Sequence, residues 1–243
     1  MGNTGRDLLF ERMVYMVLQY RFWHFLFNPS SLTHALEHGD EYEKVHGYKR
    51  SLWILFFTTL LFFAVRNIWG MHTEGLTALL ANGLDDRYQF ARLISLGGAL
   101  LWAVLFFVFH YFILTYMLHM LTDLPFRWIQ TVQLYVILFI LLEKVITFIV
   151  FVIAGYSTPL TFFSLAPMTA YLYQDEFLLY FLNQLTVSTV LAIVIQYTFL
   201  SQWEEDSKGA LLLKLIGLQI VLALLVAGIS ILPIAEWIQR GLG

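Results

Sequence analysis

The sequence WIQTVQLYVILFILLEKVITFIVFVIA, Trp128–Ala154, is an apolar run with two charged residues inside it. It is longer than the roughly 20 apolar residues with which one helix crosses a bilayer. Glu143 and Lys144 lie near its middle, where each charge costs roughly 3 kcal/mol on insertion scales. Adjacent residues do not face each other on a helix, so the two charges do not neutralise one another. Each charge therefore needs a partner on another helix or in a wet cavity, which predicts a bundle of membrane-spanning helices.

The composition of the whole chain also indicates a membrane domain. Of its 243 residues, 59% are hydrophobic and 13% are charged. Soluble domains contain about 25% charged residues. A formal net charge of -3 gives no reason to expect binding to nucleic acid. The chain contains no Cys, which excludes disulfides, Fe–S clusters, thiolate metal sites and thiol nucleophiles.

Five apolar segments follow the N-terminal region, and each predicts one membrane-spanning helix. They are Leu52–Met71, Leu93–Leu121, Trp128–Ala154, Phe177–Trp203 and Ala210–Leu232. The predicted fold is an all-α, polytopic bundle of five transmembrane helices over residues 51–243. Cytoplasmic amphipathic and juxtamembrane helices are expected over residues 1–50. Residues 155–176 are rich in aromatic side chains and contain no Lys or Arg, so we expect this loop in the opposite membrane interface.

The segment Asp7–Phe27 predicts an amphipathic helix that lies in the membrane interface. Its large apolar side chains recur every three or four residues, while Glu11 and Arg12 fall on another side. The alternative is that residues 7–27 span the membrane as a sixth helix. Glu11, Arg12 and Arg21 oppose that insertion.

A short polar helix is predicted from Ser30 to about His46, and it contains the string HALEH at residues 34–38. This string matches the H-x-x-E-H pattern of inverted zinc peptidases. Its two His residues could share a metal on one helical face, with Glu37 as a base. The chain offers no large catalytic domain around the string, so we favour a solvated juxtamembrane helix, with weak metal binding as the alternative.

Polar residues in the predicted spanning helices fall at similar depths when they are counted from the cytoplasmic ends. This candidate intramembrane polar layer comprises Arg66, His110, Glu143, Lys144, Asn183 and Gln184. The functional interpretation is a substrate or proton pathway, because ionisable groups inside membranes mark such pathways. The structural interpretation is a set of interhelical hydrogen bonds with one buried ion pair, for which Arg66 and Glu143 are the expected partners.

No cofactor and no catalytic site are expected from the sequence. His110 and His119 are nine residues apart, so they point to opposite faces of one helix and cannot clamp a haem together. The spanning segments contain no H-E-x-x-H pattern, and the chain contains no phosphate-binding loop. A membrane enzyme is therefore the least favoured class.

The order of these segments resembles that of a known family. An aromatic-Asn-Pro phrase, Phe27-Asn28-Pro29, runs into SSLTHAL within residues 25–36, after an amphipathic start and before five closely spaced spans. This layout resembles the Yip1-domain (YIPF-like) membrane proteins in a bacterial form. Eukaryotic members work in vesicle traffic and contact small GTPases, and some bacterial members are implicated as partners of ABC-type export systems. The resemblance implies a non-enzymatic accessory role and assigns no site.

Taken together, these patterns predict a multi-pass protein of the plasma membrane. The favoured function is a non-catalytic accessory protein that binds or regulates another membrane complex, such as an ABC-type transporter. The alternative is a small transporter or channel subunit that uses the polar layer around Glu143. The expected partners are the lipid bilayer and either a transporter complex or further copies of the same chain.

The distribution of Lys and Arg predicts a cytoplasmic N-terminus and an external C-terminus. Six of these residues precede Ser51, whereas residues 155–176 contain none. Reporter fusions placed in successive loops and at the C-terminus should therefore alternate in side. The fusion points are His46, Asp123, Thr169, Asp206 and Gly243. A cytoplasmic C-terminus would overturn both the number of spans and the family resemblance.

Overall fold

The computed structural model describes residues 48–71, 73–203 and 207–232, together with residues 26, 28 and 30. Apart from residues 26 and 30, the helices predicted for residues 7–27 and Ser30–His46 lie outside the described residues. The HALEH string lies outside them entirely. These expectations therefore stay predictions.

The described residues form an all-helical chain whose strand pairing is limited to one isolated bridge. The helices are α1 (Tyr48–Trp69), α2 (Thr77–Ala81), α3 (Asp85–Thr122), α4 (Phe126–Ala154), α5 (Ala166–Thr169), α6 (Glu176–Gln184), α7 (Val187–Leu200) and α8 (Lys208–Ser230). A 3-10 turn, Glu74–Leu76, precedes α2. Within α3, one π-helical turn at Phe109–Ile113 separates two α-helical parts.

Four of the described helices are long and apolar enough to cross a membrane: α1, α3, α4 and α8. They correspond to the first, second, third and fifth predicted spans. The predicted fourth span, Phe177–Trp203, is divided instead into α6 and α7. The prediction of an all-helical fold with long apolar helices suited to crossing a membrane is therefore confirmed, whereas the number of five spans is not.

Two compact units divide the chain. Unit 1 comprises Met1–Ile137 and Thr198–Glu205, and unit 2 comprises Leu138–Tyr197 and Asp206–Gly243. Helix α4 runs from the first unit into the second, so residues 126–137 belong to unit 1 and residues 138–154 belong to unit 2.

Aromatic pairs contribute to the packing of unit 1 beside its buried aliphatic side chains. The Phe56 ring meets Phe107 edge-on at 5.2 Å between centroids, which joins α1 to α3. The Tyr135 and Phe199 rings stack at 5.5 Å with an interplanar angle of 5°. Residues 131–137 of α4 are buried without interruption. Aromatic pairs of this kind add about 0.5–1.5 kcal/mol beyond their buried area.

The end of α1 is held by a defined cap. The Gly70 N–H donates to the Asn67 carbonyl, and the Met71 N–H donates to the Arg66 carbonyl, which is the Schellman pattern. Gly70 has φ of +113°, a conformation that side chains disfavour. Arg92 of α3 then donates to the Ile68 carbonyl at 2.7 Å and to Thr73 Oγ1 at 2.6 Å. A cation at the negative end of a helix is favourable, so Arg92 fastens α3 to the last turn of α1.

Replacing Arg92 by Ala should lower the thermal stability of the protein in detergent. The change removes two hydrogen bonds from a charged donor, and we expect a loss of about 1 kcal/mol. Arg87→Ala is the matched control, since Arg87 is exposed on the same helix and its loss changes the net charge equally. Equal losses for both variants would contradict the cap assigned to Arg92.

Unit 2 contains an exposed segment between α4 and α6. Helix α4 ends at Ala154, and Gly155, the next residue, has φ of +74°. The exposed side chains that follow are mostly aromatic or aliphatic and include Tyr171, which is 92% exposed, and Leu172 at 78%. Asp175 caps the start of α6 by accepting the Leu178 N–H at 2.7 Å. Beyond this segment, α6 packs against α8.

Candidate functional site at an interrupted helix

The break between α6 and α7 is built from local hydrogen bonds. Helix α6 ends at Gln184, and α7 begins at Val187. The Thr189 N–H donates to Thr186 Oγ1, and the Thr186 N–H donates to Thr189 Oγ1, each at 3.4 Å. This reciprocal pair has the form of a capping box, with Thr in the place of Glu or Gln. The Thr-Val-Ser-Thr sequence therefore starts a new helix rather than continuing the old one.

The loop before α5 is hydrogen-bonded to the residues of the break between α6 and α7. Ser164 and Thr186 form an antiparallel bridge, and the Val187 N–H donates to the Phe163 carbonyl at 3.2 Å. The side chain of Asn183 holds the same loop. Its Oδ1 accepts the Thr161 N–H at 2.9 Å and the Ser164 hydroxyl at 3.1 Å. Backbone groups released by the interruption are in this way paired within unit 2, as an apolar environment requires.

Glu143 meets the first turn of α7. Its Oε2 accepts the Ser188 N–H at 2.6 Å. The first N–H groups of a helix lack partners within the helix and carry partial positive charge, so a carboxylate stabilises them. The contact thus satisfies a backbone donor of α7 and compensates a charge on α4. Ser188 is buried and Glu143 is half-buried.

Three hydroxyl side chains, those of Thr186, Ser188 and Thr189, lie at the start of α7. Thr186 Oγ1 and Ser188 Oγ lie 2.8 Å apart, and Thr189 Oγ1 donates to the Gln184 carbonyl at 2.7 Å. The break between α6 and α7 thus contains three hydroxyls, the carbonyl at the end of α6 and the carboxylate of Glu143. Such a set can hydrogen-bond to water or to a small polar solute, and Glu143 supplies its charge.

The structure brings part of the predicted polar layer together. Glu143 engages the start of α7, while Asn183 and Gln184 form the end of α6 on the other side of the same break. Lys144 is half-buried beside Glu143 on α4. All four residues belong to unit 2.

The other two residues of the predicted layer belong to unit 1. The guanidinium carbon of Arg66 lies 4.9 Å from the centroid of the Phe63 ring, a cation–π geometry. His110 lies in the π-helical turn, where its Nδ1 is 2.9 Å from the Phe106 carbonyl oxygen. The expected ion pair between Arg66 and Glu143, and a single layer of all six residues, stay predictions.

The sequence analysis did not identify two buried amides. Gln133 of α4 and Gln196 of α7 are both 0% exposed, and neither amide has a hydrogen-bond partner in the structure described. Leaving a buried polar group unpaired costs about 1–3 kcal/mol. The sequence signal for these candidate residues was the presence of a Gln inside each of two long apolar runs. Their complete burial supports a functional interpretation of that signal.

The described residues contain no group of three or more His, Asp or Glu side chains that could hold a metal ion. Comparisons with models of known protein families, with curated proteins and with solved structures find no match. The fold indicates a class of protein, because the four long apolar helices among the described residues have the length and composition of membrane-spanning helices.

The bond between Glu143 and Ser188 can be isolated by removing its backbone donor. Ser188→Pro removes the N–H, and Pro is accepted in the first turn of helices. Ser188→Ala is the matched background, because it removes the hydroxyl and keeps the N–H. Adding Glu143→Ala should cost about 1–2 kcal/mol in the Ser188→Ala protein and less than half of that in the Ser188→Pro protein.

Thermal unfolding of the four proteins in detergent would measure this cycle. Strain introduced by proline is common to both Ser188→Pro proteins and cancels in the comparison. Equal costs of Glu143→Ala in the two backgrounds would show that the hydrogen bond contributes nothing to stability.

Proposed function

We propose that the protein is a small transporter or channel subunit whose working site is the break between α6 and α7. The observation that supports this proposal is the carboxylate of Glu143 on the Ser188 N–H, at an interrupted helix inside an apolar bundle. Discontinuous membrane helices form the binding sites of many transporters, because their exposed ends interact with ions and polar solutes.

Two physical arguments favour a functional role for the break between α6 and α7. Irregular backbone at membrane depth is tolerated where protein buries it or where it lines a water-filled cavity. An ionisable group in a membrane-spanning segment is expensive, and such groups commonly mark the pathways of ions and substrates. Glu143 and the hydroxyls of Thr186 and Ser188 combine both features in one place.

The proposed topology counts α6 and α7 together as one crossing. Their 9 and 14 residues would span about 35 Å at 1.5 Å per residue, against a hydrocarbon core of about 30 Å. With α1, α3, α4 and α8 this makes five crossings of the plasma membrane, with the N-terminus in the cytoplasm and the C-terminus outside. Membership of the Yip1-domain family is proposed on the same layout.

The second candidate function is a non-catalytic accessory protein that binds or regulates another membrane complex, such as an ABC-type transporter. The hydrogen bonds of Asn183 favour it, since its amide is paired with Thr161, Ser164 and Pro159 within unit 2. If the polar groups at the break are all hydrogen-bonded within unit 2, the break has a structural role. The protein would then act through its outer surface. The family resemblance favours the same role.

Water access to the break separates the two functions. The natural sequence has no Cys, so a single introduced thiol is observed without background. Thr186→Cys should react with a membrane-impermeant methanethiosulfonate reagent in native membranes, because thiols react as thiolates, which form in contact with water. Val190→Cys, at a position 61% exposed on the same helix, should face lipid and stay unreacted.

Thr186→Cys as unreactive as Val190→Cys would contradict the transporter proposal. Affinity isolation of the full chain in mild detergent tests the second candidate. A stoichiometric membrane complex that co-purifies with the protein would support it, and recovery of the chain alone would oppose it.

A further inference from the structure

The buried face of α7 carries polar and small side chains in series. Ser188, Ala192 and Gln196 are four residues apart, so they lie within about 80° of one another around the helix. All three are buried, with Gln196 at 0% exposure. The distance along the helix axis from Ser188 to Gln196 is about 12 Å. Polar groups therefore lie at both ends of this series. Ala192, the smallest side chain that bears a Cβ, lies between them.

Gln196 is the unusual member of the series. Its amide offers two donors and two acceptor lone pairs, and neither its nitrogen nor its oxygen has a hydrogen-bond partner in the described structure. A buried amide of this kind is stabilised by a species that both accepts and donates hydrogen bonds. Water is the smallest such species, and buried polar sites are where proteins hold it.

The opposite face of α7 gives the contrast. Val190 and Val194 are each two residues from Ala192, which places them about 200° around the helix from it. Their side chains are 61% and 51% exposed. Apolar exposed side chains suit contact with lipid. Helix α7 thus separates an apolar outer face from an inner face that carries Ser188, Ala192 and Gln196 beside the buried apolar residues Ile195 and Phe199.

We infer that the buried face of α7 from Ser188 to Gln196 lines a hydrated path that begins at the helix break. The Gln196 amide is the hydrogen-bonding site at the inner end of this path. The path takes water and solutes small enough to exchange hydrogen bonds with an amide. This inference rests on the proposed transporter function, since it extends the same site inward by two helical turns. Ala192 presents the smallest side chain on this stretch of the helix, and Glu143 supplies the charge at the entrance of the path.

Single thiols along α7 test the path. Each variant is made in the full-length chain, which lacks Cys, and is treated in native membranes with silver ion, a small water-soluble probe of thiols. The thiols left unreacted are then counted by a gel shift with a maleimide polymer after denaturation. Gln196→Cys should react at least about tenfold faster than Val194→Cys, because thiolate forms where water reaches the sulfur. Thr186→Cys should react as fast as Gln196→Cys or faster.

The outcomes separate the path from the proposed function. Rapid reaction of Thr186→Cys with Gln196→Cys as slow as Val194→Cys would leave the site at the break standing and overturn the path. Slow reaction of both would overturn the path and the transporter proposal together. If Gln196→Cys fails to assemble, Ala192→Cys decides in its place. This change is small in volume and lies on the same face, and a reaction as slow as that of Val194→Cys would again overturn the path.

Discussion

The hydrogen bond from the Ser188 N–H to the Glu143 carboxylate is the interaction on which unit 2 depends. A helix that starts inside an apolar bundle exposes N–H groups without partners, and a carboxylate in the same place carries a charge without compensation. Each of these groups alone would be strongly unfavourable. Their contact offsets part of both costs, so α6 can end and α7 can begin around Leu185 and Thr186 within unit 2.

The two units differ in the specific contacts that they contain. Unit 1 combines buried aliphatic side chains with ring contacts such as the stack of Tyr135 on Phe199, and Arg92 adds hydrogen bonds at the end of α1. Unit 2 contains a concentrated set of hydrogen bonds at and around the break. Ring packing tolerates many arrangements, whereas hydrogen bonds require particular distances and directions. The geometry of unit 2 is therefore defined by a small number of residues, among which Asn183 makes bonds to three loop positions.

The long helices could be predicted from the sequence because length and apolarity are local properties. The predicted span Trp128–Ala154 and the observed α4, Phe126–Ala154, differ by two residues at one end. The break could not be predicted in the same way, since Leu185, Val187 and the small hydroxyl residues around them suit an apolar helix as well as its end. The partner of Glu143 could not be predicted either. A charged residue in an apolar segment indicates a side chain of opposite charge, whereas the structure pairs Glu143 with a backbone N–H, which every residue except proline has.

The π-helical turn at Phe109–Ile113 has a consequence for how α3 can vary in length. Such a turn contains one residue more than an α-helical turn, with hydrogen bonds from residue i to i+5. Deleting one residue here restores regular helix and leaves Leu114, Leu118 and Thr122 facing the core. The same deletion elsewhere in α3 would rotate every later side chain by about 100° and turn these residues away from their neighbours. Among related chains, a difference of one residue in this helix is therefore expected at this turn.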